Sequence, residues 1–63
     1  MKQKELKNLA KKIAKLEIQM NNSTDEDEIE LIANEMMALT GRVHSFEELD
    51  LLDEMIQEIL QNS

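Results

Sequence analysis

An all-α fold, a small three-helix bundle, is what this sequence predicts, and three observations predict it. The 63 residues hold no proline and one glycine, so almost nothing along the chain opposes helix. Phe46 is the only aromatic residue, which argues against a sheet, because sheets draw on aromatic and β-branched side chains. Apolar residues recur at intervals of three and four in three stretches separated by polar breaks. The expected helices cover about residues 2–20, 25–40 and 46–60 of one domain, 1–63, with no separate linker or tail.

In the first stretch Leu6, Leu9, Ile13, Leu16 and Met20 alternate by three and four, forming an a/d seam with Ala10 beside it. Lys4, Lys7, Lys11 and Lys15 lie on the opposite side, and Ile18 falls among them. Asn21, Asn22 and Ser23 form the break. Ser23 or Thr24 is expected to cap the second helix, with Glu26 or Asp27 completing a capping box. The acidic run from Asp25 to Glu28 then falls in the first turn, where the helix dipole favours negative charge.

The second helix presents Ile29, Ile32, Met36 and Leu39, widened by Ala33 and Met37, with Leu31 and Ala38 on its polar side. Gly41 stands where a helix-ending residue with positive φ is expected. After the turn 41–45, Ser45 and Glu48 have the spacing of a capping box. The apolar residues of the third helix are Phe46, Leu49, Leu51, Leu52, Met55, Ile56, Ile59 and Leu60. They spread over more than half its circumference, so this helix is expected to be covered from two directions. One arrangement places it in the middle, touching the other two helices. Another packs its rim against a second subunit.

A chain this short buries only about 60% of its unfolded surface, so its core needs support. There are no cysteines, which excludes disulfides and thiolate metal sites, and one histidine, His44, cannot close a zinc site. Support is left to regular helix packing or to a two-fold homodimer, for which Ile18, Leu31, Leu51 and Met55 are the candidate contact residues.

Charge is sorted along the chain. Residues 1–22 carry six lysines against two glutamates, a net of +4. Residues 23–63 carry Arg42 against twelve carboxylates, a net of −11, and the whole chain stands at −7. A basic helix joined to two acidic ones implies attraction within the chain and leaves an uncompensated acidic surface.

These features weigh against several functions. Catalysis lacks a nucleophile of the Cys type, and the only histidine lies in a short turn, so the chain is expected not to be an enzyme and to need no cofactor. The acidic run lacks the glycine of an EF-hand loop, so no metal is expected. A helix-turn-helix reading fails because the supposed reading helix would carry six acidic residues and no base, which phosphates repel. Direct nucleic-acid binding is therefore not expected. No apolar stretch approaches a membrane span, and the lysine-rich start has no continuous apolar run behind it, so a cytoplasmic protein is expected, with Met1 its initiator.

The function this leaves is a small acidic protein-interaction module: an adaptor, regulator or inhibitor that meets a basic patch on a partner. Its candidate contact residues are Glu30, Glu35, Asp50, Asp53, Glu54 and Glu58. The alternatives are a self-assembling bundle and a DNA mimic whose carboxylates imitate phosphates, though the basic first helix counts against mimicry. Met36, Met37 and Met55 are soft enough to line a groove, and a binding cleft is expected between the second and third helices.

Overall fold

Three amphipathic stretches fold as three helices because each can bury its apolar stripe only against the others. The computed structural model describes residues 2–62; Met1, expected as the initiator, and Ser63 lie outside the described residues. Among these the chain is an all-α three-helix bundle: α1 (Gln3–Asn22), α2 (Glu26–Thr40) and α3 (Phe46–Gln61). Each boundary falls within two residues of its expected place.

The order of packing differs from the expectation. It is α1, not α3, that occupies the middle, touching both other helices, while α2 and α3 meet each other only weakly. Five of the nine buried apolar residues belong to α1: Leu6, Leu9, Ala10, Ile13 and Ala14. Leu6, Leu9 and Ile13 supply bulk. Ala10 and Ala14, with almost no exposed surface, let neighbouring backbones come close on the same helix. The apolar arc of α1 is thus wider than its leucine seam alone. The arc of α3 is narrower than its composition suggests, since Phe46 is 86% exposed and only Leu52 and Ile56 are buried.

The main core joins α1 to Val43 of the turn and to Leu52 and Ile56 of α3, with Met36, Leu39, Leu49, Met55, Ile59 and Leu60 packed around it. From α2 only Ile32 is fully buried, apart from that cluster. The Cα trace accordingly measures 34 × 25 × 15 Å, flattened because α2 and α3 flank α1 without closing over it.

The helix ends also depart from expectation in detail. Asp25, not Ser23 or Thr24, caps α2: its carboxylate accepts the backbone N–H of Asp27 at 3.0 Å. The Ser23 hydroxyl oxygen accepts the Asp25 N–H at 3.4 Å, supporting the cap from one step back. Ser45 precedes α3 in extended conformation but makes no side-chain capping bond. Gly41 has φ −64° and ψ −13°, an ordinary right-handed conformation, so its expected positive φ is absent. Instead the chain leaves α2 through tight turns, with Arg42 N–H donating to Leu39 and Val43 N–H to Thr40. These carry Val43 inward to its buried position.

Candidate interaction surface

All six acidic candidates are exposed. On α3, Asp53 and Glu54 follow Asp50 by three and four residues and Glu58 follows Glu54 by four, so helical geometry gathers them on one side of the helix. On α2, Glu30 and Glu35 are five residues apart and fall on different sides of the helix. The acidic surface is therefore one continuous row on α3 with two separate carboxylates on α2.

Glu58 differs from the others. It lines a cleft of about 870 Å³ with Met55, Ile59 and Asn62 of α3 and with Gln3, Lys4 and Lys7 of α1. The basic start of α1 therefore lies against the end of α3, where unpaired carbonyls carry the negative end of the helix dipole. Glu58 thus shares its cleft with two lysines, while Asp50, Asp53 and Glu54 stand nearer the start of α3.

The four candidates for self-association are not gathered in one place. Leu31 is 70% exposed, and Leu51 and Ile18 are little more than one-third exposed. Ile18 lines a cleft with Asp25, Glu28 and Ile32 at the α1–α2 connection. Met55 is half-buried in the cleft with Lys4 and Lys7, near the opposite end of α1.

Where α2 and α3 fail to close over α1, an apolar furrow of about 550 Å³ opens. Met20 of α1, Ala33, Met36, Met37 and Thr40 of α2, Gly41 and Val43 of the turn, and Leu49 of α3 line it. Ala33, Met36, Met37 and Thr40 share one helical face, and Met37 is 71% exposed there. The Thr40 hydroxyl donates to the Met36 carbonyl at 2.9 Å, so the one side-chain donor in the furrow is already engaged. Of the three methionines expected to line a groove between the second and third helices, Met36 and Met37 line this furrow, whereas Met55 lines the cleft with Lys4 and Lys7. Met20 and Val43 do not follow from the sequence. Their signals are slight: Met20 carries the α1 seam past Leu16, and Val43 is the single apolar residue of a polar turn.

Among the described residues no group of three or more His, Cys, Asp or Glu side chains is placed to hold a metal ion. No described helix is long and apolar enough to cross a membrane. Compared with protein-family models, curated proteins and solved structures, the chain matches none of them.

Proposed function

We propose that this chain is a small, non-enzymatic protein-interaction module whose acidic α2/α3 surface engages a basic patch on a partner protein. The observation that carries this reading is the exposed group Asp50, Asp53 and Glu54 in the first half of α3, set toward the start of that helix from the cleft that Glu58 shares with Lys4 and Lys7. Charge of one sign collected on one surface speeds encounter with an oppositely charged partner and discourages wrong ones. Its value lies in rate and selectivity more than in affinity, since exposed ion pairs contribute little each.

Two charge-reversed variants test the reading: Glu30→Lys with Glu35→Lys on α2, and Asp50→Lys with Asp53→Lys and Glu54→Lys on α3. All five positions are exposed, so the fold should survive, which circular dichroism checks. Proteins captured from the native host by the wild type should be lost from the α3 variant. Retention of the same partners by both variants overturns the reading.

A further inference from the structure

We infer that the apolar furrow between α2 and α3 is the seat of a basic amphipathic helix from the partner, whose apolar face enters the furrow while its cations meet the acidic rim. This deepens the acidic-surface reading and rests on it. The lining of the furrow includes no charged residue, and three of its eight members are methionines. Unbranched thioether side chains adapt to apolar ridges of different shape, which suits a groove that receives a helix. A small polar ligand would find little to orient it, because the Thr40 hydroxyl is committed to the Met36 carbonyl.

The rim selects the sign of the occupant. On α2, exposed Glu30 lies three residues before Ala33 and seven before Met37, on the same helical stripe. On α3, exposed Asp53 follows Leu49 by one turn, with Asp50 adjacent. On α1, Glu17 precedes Met20 by one turn, whereas the last lysine, Lys15, lies further back. Acid thus flanks the furrow from all three helices, and the cation nearest it in the chain, Arg42 of the turn, lines a different cleft with Glu5, Asn8, Leu9 and Lys12.

A second copy of this chain does not fit that requirement. Its basic helix is α1, whose apolar face is already buried in the core. Of its exposed large apolar residues, Leu31, Met37, Phe46 and Leu51 sit on the acidic helices and only Ile18, little more than one-third exposed, on α1, so self-docking would mostly bring carboxylates against carboxylates. A basic helix with apolar residues at spacings of three, four and seven satisfies both lining and rim.

The test uses a fluorescent synthetic peptide of about five helical turns, leucine on one face and lysine on the other, with a same-composition scramble as control. Anisotropy measures its binding to the full chain, and methionine methyl resonances report where it lies. Met20, Met36 and Met37 methyls should move and Met55 should not. Met37→Gln keeps the charge, removes an exposed apolar side chain, and should weaken binding about tenfold or more. Glu30→Lys with Asp53→Lys should weaken it as well.

Equal binding of peptide and scramble, unaffected by Met37→Gln and abolished by the charge reversal, overturns the furrow while leaving the acidic-surface reading standing. Absence of binding to the peptide also overturns the furrow proposal; the capture experiment judges the acidic surface separately. Concentration-dependent dimerisation that moves the same methyls without peptide would assign the furrow to a second copy and overturn the proposal in that way.

Discussion

Leu6 and Leu31 are the same amino acid with opposite fates, 1% and 70% exposed, and their truncation separates packing from composition. Leu6→Ala removes a fully buried side chain from the central helix, at a cost of about 2–5 kcal/mol. A domain of this length has about 3–9 kcal/mol in total, so the variant should be largely unfolded or close to it in urea titration. Leu31→Ala should stay within about 0.5 kcal/mol of the wild type. Capping gives a second contrast. Asp25→Ala should cost about 1 kcal/mol, because its carboxylate accepts the Asp27 N–H, whereas Ser45→Ala should cost little, since its hydroxyl caps nothing. Sequence alone did not distinguish these sites: Ser23, Thr24 and Asp25 each carry an oxygen suited to capping, and Ser45 has the better-looking box. Which oxygen reaches an N–H depends on how the chain enters the helix, and that is set by packing. Gly41 makes the same point. A Cβ there would stand 3.4 and 3.5 Å from the carbonyl oxygens of Met37 and Ala38, ordinary contacts, and φ is negative. Gly41→Ala should therefore be neutral or raise the melting temperature, by making the unfolded chain less free.

Each helix announces itself in the sequence through a stripe of period three to four, which is why the three boundaries are legible to within two residues. Which helix lies in the middle is not legible in the same way. Large apolar side chains give α3 the widest arc, yet Phe46, at its start, projects into solvent. Alanine contributes little to such an arc, but Ala10 and Ala14 are what allow α1 to be approached on a second side. Leu31 and Met37 likewise add hydrophobicity to α2 without adding burial, leaving Ile32 as its single fully buried residue. An element so lightly anchored opens before the others. Native-state hydrogen exchange should show amides of α2 exchanging fastest among the three helices and those around Leu9 and Ile13 of α1 slowest. Equal protection across α2 and α1 would contradict the central placement of α1.

Over the whole molecule, the sorted charge distinguishes two regions. In one, Lys4 and Lys7 of α1 line a cleft with Glu58, near the carbonyl end of α3. Lys4→Glu with Lys7→Glu should lower the melting temperature at low salt, and the loss should shrink as salt screens it. The methionine-lined furrow has no charged residue in its lining, and exposed Glu30, Asp50 and Asp53 stand within about one helical turn of Ala33 or Leu49, which line it. The charge split is plain in the sequence; that it brings Lys4 and Lys7 to the cleft with Glu58 needed the antiparallel placement of α1 and α3. The most direct test is a backbone amide map of the full chain titrated with the leucine–lysine peptide. Shifts should be confined to the end of α1 near Met20, to residues 33–43 and to the first turns of α3 through Asp53. Shifts centred on the lysine face of α1, or none at all, would contradict this placement.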